Sequence, residues 1–420
     1  MIDRREGGEE PVMTTEELVK KVCKEKGISV ARLAAKLGQS RQNFCKKLQR
    51  DTLTVEEWER AAQILDVTFD QAFVLPDGTR MGLTQQEEKR TVLPLMGSAF
   101  TPGKAEETVE SFRDPGLREI ARGELYFFSA QAENCAKTVE KYLTSDDLTL
   151  RLSADMLYTF ANFTLGNAKK AQRAREDVYR CLQEELETKE SPEWTAYCLF
   201  ACYVTSVLIH IPPKDGLPPL EQYLVQLPTG QRLFAVSTLG HAAYLKGEYA
   251  RAQGMVQMAM AMTEKTYPIP MIYLNCVAAM CQINQKDQEG ATRSVLNAWE
   301  MARKDKFLEP FIEYHGLLQG LLESCIRKQE PEIYKKLVDG VLAFSRGWMK
   351  IHNPQMQKVV TDLLTPMEFS IAMLACRGWT NQEIGEYLGL SVNTVKHYVS
   401  GILEKLNIDK REKIKEFVNQ

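Results

Sequence analysis

Apolar residues recur at helical spacing along almost the whole chain, and this periodicity limits the fold more than any other feature of the sequence. Leucine, isoleucine and valine return every three or four positions, whereas the alternating pattern of a half-buried strand is rare. The stretch FVLPDGTRM near residue 75 is an exception, because Asp77 and Gly78 suit the tight turn of a hairpin. The pattern as a whole predicts an all-α fold.

Chain length and composition place this sequence among globular proteins with several domains. With 420 residues, of which 44% are hydrophobic and 26% charged, roughly two to four domains are expected. The net charge is −3, so any binding to nucleic acid must come from local basic surfaces. No apolar run approaches the roughly 20 residues that span a bilayer. The charged first residues lack the apolar core of a secretory signal, which predicts a cytoplasmic protein without membrane contact.

Changes in pattern along the chain predict four segments. Residues 13–75 form a compact helical unit, and residues 76–115 are interpreted as a linker because turn-forming and polar residues dominate them. Residues 116–355 form a long helical array. Residues 360–420 form a second compact helical unit.

The long array carries a weak internal repeat. Four alanines, each preceded by a small or turn-forming residue, are separated by 35, 81 and 39 residues: Ala136, Ala171, Ala252 and Ala291. A period near 35–40 suits stacked helical hairpins, which bury their apolar faces on one another. The copy LGHAAYLKGEYARAQGMVQMAM resembles a tetratricopeptide repeat, which implies a TPR-like helical array. An irregular helical bundle is the alternative.

Near the carboxyl end, glycines and capping residues divide the chain into three short helices. Thr365 suits the start of the first helix and Gly378 its end, while Thr380 and Gly389 bound the second. The third helix is capped by one of two residues, Ser391 or Asn393. Its inner face is apolar, at Val395, Val399, Ile402, Leu403 and Leu406.

This arrangement predicts a helix-turn-helix, in which the last helix enters the major groove of DNA. Its exposed polar side chains include Lys396, His397 and Ser400. Four residues near helix starts carry groups that bond phosphates: Thr380, Asn381, Ser391 and Thr394.

The segment from Leu364 to about Val418 closely resembles the DNA-binding domain of LuxR-type transcriptional regulators. The motifs LTPME, GxTNQEI, LxLSxNTVK and KLxI agree together. The resemblance implies base contacts by Lys396, His397 and Ser400. Asn393, near the start of the same helix, is also predicted to contact DNA. It places Thr394, Lys405 and Arg411 near the DNA backbone.

The resemblance also implies that the protein binds double-stranded DNA as a homodimer in the nucleoid. Met367 replaces a basic residue usual in the family, and Gly385 replaces an alanine. Residues 363–420 contain seven lysines and arginines against seven acidic residues. A neutral domain predicts modest affinity for one copy, which dimerisation would increase.

The N-terminal unit shows a similar order of caps and breaks. Ser29 and Ser40 suit helix starts around the break at Gly38, and residues 13–50 contain ten basic residues against three acidic ones. With the motif SxQNxxxKL, the unit resembles a Cro/C1-type (XRE) helix-turn-helix. The resemblance implies six DNA contacts: Gln39, Ser40, Arg41, Gln42, Asn43 and Lys46. A role in dimerisation or in capping the repeats is the alternative.

The array between these two units is predicted to bind a peptide or protein effector, or to mediate oligomerisation. TPR-like arrays bind protein segments on a concave surface. GSAFTPGKA fails as a phosphate-binding loop, because its glycine spacing and Ala105 do not fit the motif. No metal-ligand spacing or catalytic constellation is apparent, so no metal, cofactor or enzymatic activity is expected. A protein scaffold that does not bind DNA is the main rival hypothesis.

Overall fold

A computed structural model describes most of the chain. The described residues are 14–65, 67, 69, 71–74, 80–82, 90–188, 191–211, 213–327, 329–352, 364–376 and 378–414. The chain divides into two compact units, residues 1–89 and residues 90–420. Helices dominate both units, which confirms the all-α prediction.

The N-terminal unit is built from four helices: α1 (Thr15–Glu25), α2 (Val30–Lys36), α3 (Arg41–Gln49) and α4 (Val55–Leu65). As the sequence predicts, Ser29 and Ser40 cap α2 and α3 by accepting the amide protons of Arg32 and Asn43. Phe44 and Leu48 of α3 are buried in the small core. The caps set where each helix begins, and the apolar face then packs the helices together.

A short hairpin follows these helices. Strand β1 (Ala72–Val74) pairs antiparallel with β2 (Arg80–Gly82), and Phe73 faces Met81 in the register. The predicted pairing is therefore present in this stretch. The expected turn at Asp77 and Gly78 lies outside the described residues.

The second unit is helical. Its α-helices are α5 (Ala105–Ser111), α6 (Pro115–Phe128), α7 (Ala132–Val139), α8 (Leu148–Thr164), α9 (Ala168–Thr188), α10 (Pro192–Val207), α11 (Thr229–Leu245), α12 (Tyr249–Ala261), α13 (Pro268–Asn284), α14 (Gln288–Asp305), α15 (Glu309–Leu318), α16 (Leu321–Cys325), α17 (Pro331–His352), α18 (Pro366–Cys376), α19 (Asn381–Leu388) and α20 (Val392–Lys405). Short 3-10 helices span Glu140–Tyr142, Leu220–Gln226 and Arg411–Ile414.

Successive helices of the array pack as pairs, with α6 on α7, α8 on α9, α11 on α12 and α13 on α14. The four repeated alanines lie near the start of the second helix of these pairs. Ala171, Ala252 and Ala291 are fully buried there, and Ala136 is half-buried. A methyl group at this position lets the two helices approach closely, which accounts for the repeat in the sequence. The finer assignment to a TPR-like array stays a prediction.

The predicted linker at residues 76–115 is wrong for the part from residue 90 onward. Val92, Leu95 and Met96 are completely buried in the core of the second unit. The carboxylate of Glu124 accepts the amide protons of Leu95 and Met96, each at 2.8 Å. Polar and turn-forming residues suggested a linker, but a few apolar side chains and one buried carboxylate suffice to fix an irregular segment on a helix.

The predicted boundary between the repeats and the C-terminal helices also differs from the structure. Helices α18 and α19 pack against α15, α16 and α17, so residues 90–420 form one compact unit. At the contact, a Cβ added to Gly320 would lie 2.6 Å from Leu388 Cδ2. Gly320 also has φ +87°, a left-handed conformation that favours glycine.

Candidate nucleic-acid interface

The three C-terminal helices α18, α19 and α20 begin at predicted caps, and α19 also ends at its predicted glycine. Thr380 accepts the amide proton of Glu383, and the Glu383 carboxylate accepts the amide proton of Thr380 at 2.7 Å, which completes a capping box at α19. Gly389 ends α19 in the left-handed conformation. Of the two candidate caps for α20, Ser391 is the one that accepts the amide proton of Thr394. These caps fix the turn between the two helices of the motif.

The inner face of α20 is apolar and buried. Val395 and Ile402 are fully buried, Val399 and Leu406 nearly so, and Leu403 is half-buried. This packing against α18 and α19 agrees with the predicted inner face. Because one face is anchored in this way, the opposite face of the helix must point away from its own domain.

The exposed residues of α20 include the three predicted base-contacting positions, Lys396, His397 and Ser400. Asn393 and Thr394, which are also predicted to contact DNA, are exposed as well. Lys396 and His397 carry hydrogen-bond donors and stand one turn into the helix, while Ser400 follows one turn later. The Thr394 hydroxyl lies 2.8 Å from the Ser391 hydroxyl. A helix with this exposed polar face can present several side chains to base edges in the major groove.

The helix starts next to this face are also exposed. Thr380 and Ser391 are exposed, and their hydroxyl oxygens already accept amide protons within the caps. The first amides of the two helices lie beside these hydroxyls. Such groups bind phosphate oxygens at helix N-termini.

Three residues predicted near the DNA backbone are engaged inside the domain. Lys405 Nζ lies 2.8 and 2.6 Å from the two carboxylate oxygens of Glu368. Arg411 donates to Asn381 Oδ1 at 2.7 Å and also to the backbone oxygen of Trp379. Lys405, Arg411 and Asn381 therefore hold the ends of α18, α19 and α20 together. Partial burial lowers the pKa of Arg411.

The N-terminal unit places its predicted contact residues on α3 and its cap. Ser40, Arg41, Gln42, Asn43 and Lys46 are exposed. Gln39 differs from this set, because it is half-buried and its amide donates to Glu57 Oε1 on α4 at 2.5 Å. The remaining side chains form a polar, basic face over the buried Phe44 and Leu48.

A group of polar side chains that no sequence pattern indicated is buried where the repeats meet the C-terminal helices. Four side chains, called here the Glu323 cluster, form it: His315, Glu323, Tyr334 and Ser370. Glu323 Oε1 lies 2.9 Å from His315 Nε2 and accepts from the hydroxyls of Tyr334 and Ser370, each at 3.0 Å.

The Glu323 cluster ties together α15, α16, α17 and α18. Burial favours a raised pKa for Glu323, but the attraction of His315 and the hydrogen bonds outweigh it, so the pKa of Glu323 is lowered. A charged, hydrogen-bonded carboxylate at this junction fixes the relative position of the helices that meet there. In the sequence His315 looks isolated, because the other members of the cluster lie 8 to 55 residues away and become its neighbours only in the fold.

Two further properties bear on the kind of site. Within the described ranges, no three histidine, cysteine, aspartate or glutamate side chains come together as a metal site requires. None of the helices that the structure describes has both the length and the apolar character needed to cross a membrane.

Comparison with known proteins shows that the C-terminal segment matches a protein family. The model of the luxR family of bacterial regulatory proteins matches residues 362–417. The transcriptional regulatory protein LiaR of Bacillus subtilis is 33% identical over 88 residues, which are 18% of this chain and 42% of that protein. The response regulator protein VraR of Staphylococcus aureus is 33% identical over 114 residues, 25% of this chain and 53% of that protein.

The chain thus spans about half the length of the curated relatives that it matches. No solved structure matches the chain. The matched segment contains α18, α19 and α20 with their caps and the exposed face of α20. The C-terminal domain of this protein is a helix-turn-helix domain of the luxR family of bacterial regulatory proteins.

Proposed function

We propose that the protein is a transcriptional regulator that binds double-stranded DNA in a sequence-specific manner through its C-terminal domain. The exposed polar face of α20, held over a fully packed apolar face, carries this proposal. Lys396 and His397 are assigned to base edges, with Asn393 and Ser400 beside them. Thr380, Ser391 and Thr394 are assigned to phosphates at the helix starts.

The finer roles rest on domain order and on packing. Lys405, Arg411 and Asn381 act by holding the helices in place. The N-terminal unit is assigned a second DNA contact through Ser40, Arg41, Gln42, Asn43 and Lys46, with Gln39 positioned by Glu57. The helical pairs of residues 116–355 are assigned to binding a peptide or protein effector, and the protein is expected to act as a homodimer.

A double variant tests the DNA-binding role. A duplex selected from genomic DNA by the full-length protein serves as the probe. Lys396→Ala combined with His397→Ala is expected to lose about 1–3 kcal/mol of binding free energy for each well-made base contact. Both side chains are exposed, so the unfolding temperature should change little.

The control for this test is Lys137→Ala, which removes one positive charge from an exposed position of α7. The control should bind the selected duplex as the wild type does. A protein scaffold that does not bind DNA would be indifferent to all these substitutions. Equal affinities of the double variant and the wild type would therefore contradict the proposal.

Two separate experiments test the assignments of a homodimer and of a peptide effector. Sedimentation of the full-length protein, with and without the selected duplex, checks for a dimer. Titration with candidate peptides, followed by the affinity for the duplex, checks for an effector. A monomer on DNA, or an affinity that no peptide changes, would count against the respective assignment.

A further inference from the structure

The C-terminal domain has few positive charges available for phosphate. Residues 363–420 carry seven basic and seven acidic residues. Lys405 is paired with Glu368, Arg411 with Asn381 and Lys413 with Asp409. Among the basic residues that the structure describes between 364 and 414, the side chains of Lys396 and Lys410 remain without such a pairing. DNA affinity depends strongly on such charges, so the domain alone is expected to bind DNA weakly.

The start of α19 has an acidic residue where a phosphate would approach. The Glu383 carboxylate completes the capping box with Thr380, and Glu383 is only half-buried. Hydrogen bonds from the backbone and side chain of Thr380 lower the pKa of Glu383, so the carboxylate is charged at neutral pH. A negative charge beside the helix start opposes a phosphate there unless a cation offsets it.

A lysine from the repeats lies at this position. Lys286 Nζ is 3.9 Å from Glu383 Oε1, and its side chain is 77% exposed. Lys286 belongs to the turn between α13 and α14, where its backbone is left-handed with φ +63°. Its amide donates to the backbone oxygen of Ile283 at 3.1 Å. The backbone is thus fixed by the turn, while the long side chain can reach several ångströms to either side.

The contact between the repeats and the C-terminal helices holds Lys286 in this place. The Glu323 cluster joins α15, α16 and α17 to α18, and Gly320 packs directly on Leu388 of α19. Helix α13, which precedes Lys286, packs on α15. These contacts form a continuous, closely packed path from the Lys286 turn to α19. Packing within the unit therefore holds the turn with Lys286 beside the start of α19.

We infer that Lys286 of the helical repeats binds the DNA phosphate backbone beside the start of α19. The repeats would then form part of the DNA-binding surface in addition to any role in sensing. The ligand group is a phosphodiester of duplex DNA, bound by an ammonium group as a mobile point charge. The contact carries no base preference and adds affinity on every sequence. This inference rests on the proposed DNA-binding function.

The salt dependence of binding tests the inference. Affinity for a short mixed-sequence duplex is measured across a series of salt concentrations with the full-length wild type, Lys286→Ala, Lys286→Arg and Lys137→Ala. Loss of one phosphate contact should lower the slope of log affinity against log salt by about 0.9 for each subunit bound. Lys286→Ala should also bind about fivefold more weakly at low salt, equally on mixed and selected sequences.

Lys286→Arg should keep the wild-type slope, because it retains the charge. Lys137 has a similar exposure, 70%, and an acidic neighbour, Glu133, so Lys137→Ala is the matched control and should change neither slope nor affinity. If Lys286→Ala keeps the wild-type slope, the inference is overturned, even if affinity falls through a weakened contact with Glu383. A wild type without salt-dependent duplex binding would overturn the proposed function as well.

Discussion

The packing of the C-terminal helices on the repeats can be tested at Gly320. This glycine is left-handed, with φ +87°, and lies against Leu388. In Gly320→Ala, the left-handed backbone should cost about 1–2 kcal/mol of unfolding free energy. The new methyl group would lie 2.6 Å from Leu388 Cδ2, and such overpacking costs about 1–3 kcal/mol more. The total expected loss is about 2–5 kcal/mol.

Gly378→Ala provides the matched control. Gly378 has φ +81°, nearly the same conformation, but no atom lies within 4 Å of an added Cβ. Gly378→Ala should therefore lose only the backbone contribution of about 1–2 kcal/mol. The difference between the two variants isolates the contact between the repeats and α19.

Urea unfolding of the full-length protein, followed by tryptophan fluorescence, gives both losses. Trp379 reports on the C-terminal helices directly, because its ring packs 5.3 Å from that of Tyr387. Equal losses in the two variants would show that Gly320 and Leu388 are not packed together in solution. The contact that positions Lys286 would then be refuted as well.

The remaining predictions concern two buried carboxylates, those of Glu323 and Asp155. Glu323→Ala should lose about 3–5 kcal/mol of unfolding free energy at neutral pH, because it leaves His315 and two hydroxyls without their acceptor, whereas Glu323→Gln should lose less. The pKa of Glu323 is lowered on folding, so its negative charge stabilises the protein above the unfolded pKa, and this stabilisation is lost as pH falls through the folded pKa. Urea unfolding should therefore show that the loss of unfolding free energy in Glu323→Gln becomes smaller in acid. A loss that is independent of pH would contradict this assignment. Asp155 behaves oppositely, since burial and the nearby Asp177 raise its pKa from 3.8 to about 8 and neither carboxylate oxygen has a hydrogen-bond partner. Wild-type stability relative to Asp155→Asn should therefore be highest in acid and fall, by on the order of 5 kcal/mol, as pH rises to about 8. A difference that does not change between these limits would show that Asp155 is not buried as described.

The helices themselves could be predicted because their signals are local. Thr380 and Ser391 are caps that act within four residues, and Val395 and Ile402 reveal a buried face through their spacing alone. The exposed face with Lys396 and His397 follows from the same periodicity. The choice between Ser391 and Asn393 as the cap needed coordinates, because both residue types favour that position.

The errors arose where the deciding contacts join distant parts of the chain. Residues 90–100 look like a linker until Glu124 accepts two of their amide protons. Lys405 and Arg411 look free for phosphate until Glu368 and Asn381 are brought beside them. The sequence pattern around a residue is the same whether its side chain contacts solvent, DNA or a distant residue, so periodicity cannot distinguish these cases.

The sequence by itself determined the all-α class, the capped helix order at both ends and the polar face of α20, since each depends on residues within a few turns of one another. The tertiary structure alone decided that the C-terminal helices pack on the repeats, that the Glu323 cluster is buried between them and that Lys286 stands beside Glu383. These features depend on which helix faces meet, and that is settled by packing over the whole unit.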